Sequence, residues 1–326
     1  MNSAIKPGGF SLPALILAVS LAMGACRGAT EPEVRVGTHI WPGYETLFLA
    51  REKGVFKDAA IRLLELPAAS ESIRAFENGS VDAALLTADE VLRLAERKLE
   101  PRIILVMDFS HGGDAILARP EIRDLRELKG RSVGVEANAL GAYVLSRALD
   151  SVGMKPSELR IVSLLTAETE AAYRSGRVDA VVTFEPHRTR VMAAGAHVLF
   201  DSSQIPSEIA DVMVVRKEFM EKAPKGLAQL VAGHFRALGR LAVERDEAAR
   251  IMAQREGISP AEFLDSLTRL RQPDREENRR LLGQEPSPLR EALRRLQKEM
   301  REHGILQAED DPSRLLDDRF VREEAP

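Results

Sequence analysis

The chain has 326 residues, 44% of them hydrophobic, with 46 basic against 50 acidic side chains, a formal charge of -4 and a single cysteine. That length supports two lobes of roughly 100 to 200 residues, each able to bury a core, and the weak acidity makes no general case for binding nucleic acid or an anionic membrane. One cysteine excludes a disulfide framework and any Cys-ligated zinc or iron centre.

In chain order, residues 1–25 carry one charge, Lys6, and an apolar run from Phe10 to Ala25 that Pro13 interrupts. The run is shorter than the roughly 20 residues that span a bilayer. It reads as a secretory signal rather than a fold element. Met23-Gly24-Ala25-Cys26 resembles a bacterial lipobox, which makes Cys26 the expected lipidation site and residues 26–33 a short tether. A lipid on Cys26 accounts for an unpaired cysteine in a secreted protein. The mature chain is then expected in the periplasm, held to a membrane by that lipid alone. Loss of residues 1–25 removes one basic residue, so its charge is 45 - 50 = -5.

Val34 to Ile40 alternates as a strand, and Trp41-Pro42-Gly43-Tyr44 turns into a helix that runs to about Lys53. Strand 61–66, helix 70–78 and strand 81–86 follow. Thr87-Ala88-Asp89-Glu90 has the spacing of a capping box opening a helix to about Arg97. After strands 103–108 and 115–118, an amphipathic helix is expected over 120–130. Strand 132–135, helix 139–150, strand 161–165, helix 168–175, strand 178–183, helix 186–194 and strand 198–200 then repeat the period. Strands separated by helices argue for parallel, doubly wound sheets.

The repetition is explicit in the residues. Ala75-Phe76-Glu77-Asn78-Gly79-Ser80-Val81-Asp82-Ala83 recurs as Ala172-Tyr173-Arg174-Ser175-Gly176-Arg177-Val178-Asp179-Ala180. One unit built twice predicts two similar α/β lobes. Residues 34–117 and 212–326 are assigned to the first and 118–211 to the second, with 211–215 a strand returning to the first lobe. Two crossings, near 109–120 and 202–212, would act as hinges. From Lys217 onward the pattern is helical and highly charged, with long helices over 227–255 and 289–303 and a capping box at Ser259-Pro260-Ala261-Glu262. These helices are expected to be packing elements with solvated Arg/Glu faces.

Ligands of open α/β sheets sit beyond the carboxyl ends of the strands, so the residues just after strands are the candidates. Trp41, Gly43 and Tyr44 place the only Trp and one of three Tyr at one strand end, as a stacking platform. Ser110 and Asp114 lie in a glycine-rich first crossing beside Asp108, whereas His111 reads as a surface residue. Glu136 and Asn138 open the helix after strand 132–135, where Asn138 also suits an N-cap. Thr87 and Glu185 end the two copies of the repeat, and Asp211 begins the returning strand. No Gly-x-Ser-x-Gly elbow, His-Glu-x-x-His, phosphate-binding loop or dinucleotide fingerprint occurs. The expected role is binding without catalysis, by a monomer, with neither cofactor nor metal.

Over about residues 34–215 the chain resembles the type II periplasmic solute-binding proteins of ABC importers, the group for nitrate, sulfonates, taurine and thiamine-pyrimidine precursors. Trp41-Pro42-Gly43-Tyr44-Glu45, Leu49 to Phe56, the two Gly-x-Val-Asp-Ala copies and Leu128-Lys129-Gly130-Arg131-Ser132-Val133-Gly134-Val135 carry the resemblance. It implies two lobes closing on a small-molecule solute, which is then handed to ABC permease subunits. A related enzyme that makes the thiamine pyrimidine has a Cys-rich stretch, which this chain lacks. For the ligand itself, Asp108, Asp114, Glu136, Glu185 and Asp211 are acidic, and no Lys or Arg lies in the cleft segments. An amine or nitrogen heterocycle is therefore expected, stacked on Trp41 or Tyr44. Helix N-termini at the cleft pull the other way, toward anions.

Overall fold

The computed structural model describes Met1, Ser3, Ala4 and residues 31–137, 140–283 and 286–322; Cys26, Asn138 and the apolar run of the expected signal peptide fall outside the described residues. The first lobe begins with β1 (Val34–Thr38), α1 (Glu45–Glu52), β2 (Ile61–Glu65), α2 (Ala69–Glu77), β3 (Ala83–Thr87), α3 (Ala88–Glu96) and β4 (Pro101–Ser110). The second contains β5 (Asp114–Ala118), β6 (Ser132–Val135), α4 (Leu140–Asp150), β7 (Arg160–Ser163), α5 (Thr169–Arg174), β8 (Ala180–Phe184), α6 (His187–Ala193) and β9 (His197–Asp201). β10 (Ala210–Arg216) returns to the first sheet. After it come α7 (Lys217–Met220), α8 (Pro224–Val243), α9 (Arg245–Glu256), α10 (Pro260–Leu267), β11 (Leu270–Arg271), α11 (Arg275–Gly283), α12 (Pro288–Glu302) and α13 (Arg319–Arg322).

The sheets run β11-β4-β10-β3-β1-β2 and β7-β6-β8-β5-β9. Each is parallel through its βαβ core but mixed overall, because β10 pairs antiparallel with β3 and β4, and β5 with β8 and β9. The antiparallel strands are an addition to the parallel, doubly wound sheets expected from the sequence, and the reason is geometric. Parallel strands end at the cleft, so a strand that begins there after crossing from the other lobe must run the opposite way. Sheet membership also puts β5 wholly in the second sheet. The first crossing is therefore the tight segment 111–113, short of the expected boundary at 117, and the second is 202–209.

The repeated unit has a structural purpose. Gly79 and Gly176 both sit at φ +76°, a left-handed turn that lacks a Cβ penalty and ends the helix. Three residues later the aspartates tie that turn to the neighbouring strand. Asp82 Oδ2 accepts from the Arg35 amide at 3.1 Å, and Asp179 Oδ2 from the Ser132 amide at 2.8 Å. The strand that follows each copy, β3 or β8, is thereby held beside β1 or β6, with its far end at the cleft.

In β5 the side chains alternate between two hydrophobic clusters. Ala115 and Leu117 join Leu164, Tyr173, Val178 and Val191 on one face, while Ile116 and Ala118 pack into the large cluster that also holds α4 and the first lobe. A period of two with both faces buried is what a sheet covered by helices on each side requires. The expected helix over 120–130 shrinks to a turn at Leu125–Leu128, because Asp124 caps it by accepting from the Arg126 amide. The expected helix over 227–255 is broken at Glu244, where φ -108° and ψ 44° leave the helical region. The break turns α9 back across α1, and Lys53 then bridges Glu244 and Glu247.

Candidate solute-binding cleft

The strand ends of the two sheets face each other across a cleft. Its walls are His39, Trp41, Ala69, Thr87, Glu90 and Asp211 from the first lobe, and Asp114, Glu136, Leu140, Gly141, Val144, Thr166, Val182, Thr183 and Phe184 from the second. With the lobes set as they are, the space is about 30 Å³, little more than the room a water needs. A wider space of about 290 Å³, reached past His39, Thr166 and Phe184, adjoins it. The lobes are therefore nearly shut.

Aromatic rings form one side. Trp41 stands edge-on to Phe184, centroids 5.7 Å apart at 81°, and His39 lies 5.8 Å from Phe184 and 5.2 Å from Tyr44. Behind the rings is a layer of carboxyls. Trp41 Nε1 donates to Asp108 Oδ2 at 3.1 Å, and the Tyr44 hydroxyl donates to Asp211 Oδ1 at 2.5 Å. Asp108 and Asp211 are cross-strand partners on β4 and β10, so two acids share one buried spot. Like charges that close cannot both ionise cheaply. Burial, helped by the Asp114 charge, pushes Asp108 up to about 8. Burial and the charges of Asp108 and Asp114 hold Asp211 well above the carboxylate range. Burial, with Asp89 beside it, lifts Glu90 to about 8, and burial lifts Asp114 to about 7. His39 goes the other way, since burial lowers it to about 4 and keeps the imidazole neutral.

Most polar atoms of the cleft have partners within the protein; among the described residues two lack them. His39 Nδ1 and Asp114 Oδ2 are buried with no hydrogen-bond partner among the described residues. A buried acceptor left unmade costs roughly 1 to 3 kcal/mol, so both atoms are placed for a solute or water that supplies the missing bond. Asp114 is held by the first crossing, where its amide donates to Ser110 Oγ at 3.2 Å and Ser110 Oγ meets Ser202 Oγ at 2.8 Å.

Of the residues singled out from sequence, Trp41, Thr87, Asp114, Glu136 and Asp211 line the cleft. Four others lie behind its walls. Tyr44 is fully buried and supports Asp211 instead of stacking in the cleft. Ser110 staples the two crossings to each other. Glu185 accepts from Arg188 Nη1 at 3.1 Å and from Thr189 Oγ1 at 2.7 Å, with Arg269 Nη1 at 3.6 Å, so its charge is spent on arginines at the hinge. Gly43 makes room: a Cβ there would lie 1.7 Å from Asp108 Oδ2 and 2.9 Å from Trp41 Nε1. Gly43→Ala is thus expected to push Asp108 off the indole and lower the melting temperature by about 5 °C, as overpacking costs about 1 to 3 kcal/mol; circular dichroism melts read this directly. Sequence reasoning missed His39, Glu90, Thr166 and Phe184 as cleft residues. Among the described lining residues there is neither Lys nor Arg.

Two lobes, two crossings and a polar cleft between strand ends define a two-lobed solute-binding fold of the type II periplasmic class. Residues 27–257 match the NMT1-like family, and the chain belongs to that family. Solved structures share the fold at low identity. The alkanesulfonate-binding protein SsuA from Xanthomonas axonopodis pv. citri, bound to MOPS, aligns with a TM-score of 0.70 at 18% identity over 86% of this chain and 96% of that one. The periplasmic nitrate-binding protein NrtA from Synechocystis PCC 6803 gives 0.70 at 15% identity, over 89% and 88%. The desulfurization enzyme DSZB gives 0.65 at 17% identity, over 89% and 98%. At these identities the likeness speaks for the fold alone.

Proposed function

We propose that this protein is an extracytoplasmic solute-binding lipoprotein, anchored through Cys26, that captures a small amine or nitrogen heterocycle in the cleft and delivers it to ABC permease subunits. The observation that carries the ligand class is the lining itself: Asp114, Asp211, Glu90 and Glu136 against Trp41 and Phe184, with no Lys or Arg among the described lining residues. A cation there meets carboxylates in a dry site and an aromatic face, both of which favour it. Among the described residues no three His, Cys, Asp or Glu converge to hold a metal ion, which favours an organic cation over a bare metal. Family membership and the shared fold of sulfonate- and nitrate-binding proteins support the transport role.

A thermal-shift panel of amines, pyrimidines, alkanesulfonates and nitrate tests the ligand class. Amines or nitrogen heterocycles are expected to stabilise the protein by about 2.7 kcal/mol at a hundredfold excess over Kd, and sulfonates and nitrate are expected to leave the melt unchanged. Stabilisation by the anions alone would overturn the reading. Mass spectrometry after incubation should recover the bound solute unaltered, whereas a product would point to catalysis, an activity that one enzyme of this fold carries.

A further inference from the structure

Two helix N-termini meet across the cleft, and each already holds a carboxylate from the opposite lobe. At the start of α2, in the first lobe, the Ser70 amide donates to Glu136 Oε1 at 2.9 Å, and Glu136 follows β6 in the second lobe. Its other oxygen accepts from Thr166 Oγ1 at 2.7 Å. At the start of α4, in the second lobe, the Leu140 amide donates to Glu90 Oε1 at 3.2 Å, and Glu90 belongs to the first turn of α3 in the first lobe. Its other oxygen accepts from the Thr87 amide at 3.0 Å. The exchange is reciprocal, and all four oxygens are used.

A helix N-terminus with free N–H groups is a seat for an anion, through its unpaired donors and the positive end of the helix dipole. An oxyanion entering this cleft meets the Leu140 amide already committed to Glu90, and Glu136 stands between it and the Ser70 amide, with Asp114 and Asp211 on the remaining walls. The two atoms without a hydrogen-bond partner among the described residues, His39 Nδ1 and Asp114 Oδ2, belong to the lining of the same cleft. We propose that Glu136 and Glu90 are specificity-determining residues that fill both helix N-terminal seats and so exclude sulfonates, sulfate and nitrate, an inference that rests on the cleft being the solute site. Glu136 is the more decisive of the two. Its truncation frees the Ser70 amide and the Thr166 hydroxyl together, beside an open space of about 380 Å³ that Arg74 and Arg97 also border. An anion would reach that seat from solvent.

The test is calorimetric titration of wild type, Glu136→Ala and Glu136→Gln with inorganic sulfate, with methanesulfonate and with the amine panel. Wild type is expected to show no saturable heat with either anion. Glu136→Ala is expected to bind at least one of them with a gain of about tenfold or more, the size of a charge-assisted hydrogen bond recovered. Glu136→Gln keeps the shape of the side chain, so it decides the matter should the alanine variant fail to fold; loss of the repelling charge should give it a smaller gain. Two folded variants that ignore both anions, or a wild type that already binds them, would overturn the proposal. The two readings separate cleanly. Amine binding by wild type with anion-deaf variants retains the amine site and removes the seat-filling role, and an amine-deaf wild type with an anion-binding Glu136→Ala does the reverse.

Discussion

Asp114→Asn is expected to weaken amine binding by about a hundredfold while leaving the apo protein as stable as wild type or slightly more so. The substitution preserves size and changes two things. It removes the charge that would pair with the cation, and it turns an acceptor toward donors of the solute into an amide that also donates. Losing one partner of a buried, hydrogen-bonded charge pair costs roughly 2 to 5 kcal/mol, and about 2.7 kcal/mol is a hundredfold. The apo state responds oppositely, because Asp114 Oδ2 has no partner to lose and its carboxyl is held up to about 7 by burial. An amide there escapes the cost of ionising in a dry site. A group with a purely structural role would lose stability and affinity together, so the split between an unchanged melt and a lost calorimetric Kd is diagnostic. Retention of affinity within about threefold would remove Asp114 from the site. Asp108→Asn should behave otherwise, since its oxygens already accept from Trp41, and the loss there should fall on stability as well.

The contrast between Asp114 and its neighbours shows which parts of the site were legible in the sequence. Strand ends were readable from alternation, and the rule that ligands sit beyond them found Trp41, Asp114, Glu136 and Asp211. His39 was hidden because alternation runs the first strand to Ile40, whereas β1 ends at Thr38 and leaves His39 just past it. Thr166 directly follows the strand expected at 161–165 and fell within reach of the same rule, although β7 itself ends earlier, at Ser163. At the end of β8 the sequence pointed to Glu185 and the cleft takes its neighbour. Phe184 turns into the cleft, and Glu185, next in the chain, faces Arg188 and Arg269 at the hinge. Glu90 was read for its local bond alone, and the capping box is present. Its second oxygen reaches Leu140, 50 residues away, and no local pattern encodes that reach. The break at Glu244 and the two-residue strand β11 have the same cause, since both exist through pairing with distant segments. By contrast the glycine turns of the repeated Gly-x-Val-Asp-Ala units were legible, because a left-handed helix end is set locally, while the aspartate bonds to β1 and β6 cross 47 residues and were not.

The carboxyl layer also fixes how the protein answers to pH, with the apo form expected to lose stability between pH 6.5 and 8.5. Burial holds Asp108 and Glu90 at about 8, Asp114 at about 7, and Asp211 and Asp89 above their ordinary 3.8. Beside the cleft, Glu45 sits at about 7 through burial despite Arg255, and burial raises Glu256 well above 4.5 between Glu45, Glu185 and Arg190. Each of these groups keeps its proton longer in the fold than in the unfolded chain. The folded state therefore binds more protons from about pH 4 upward, and its stability falls as pH rises through the folded values. The histidines oppose this at lower pH. Burial lowers His39 and His187 to about 4 and His234 to about 3, so only the unfolded chain gains those protons below the ordinary 6.5, which costs stability as pH falls. Below 6.5 the three histidines offset only part of the excess carried by the seven carboxyls, so the fall is shallower there. Above it the carboxyls titrate alone, and the melting temperature of the apo protein should drop by on the order of 10 °C. A bound amine supplies the positive charge these acids lack, so binding should tighten across the same interval and release protons, measurable as calorimetric heats that vary with the ionisation enthalpy of the buffer. An apo melt that stays flat or climbs from pH 6.5 to 8.5 would mean that the acids are already ionised and balanced by charges other than a solute, and the electrostatic case for a cation would go with it.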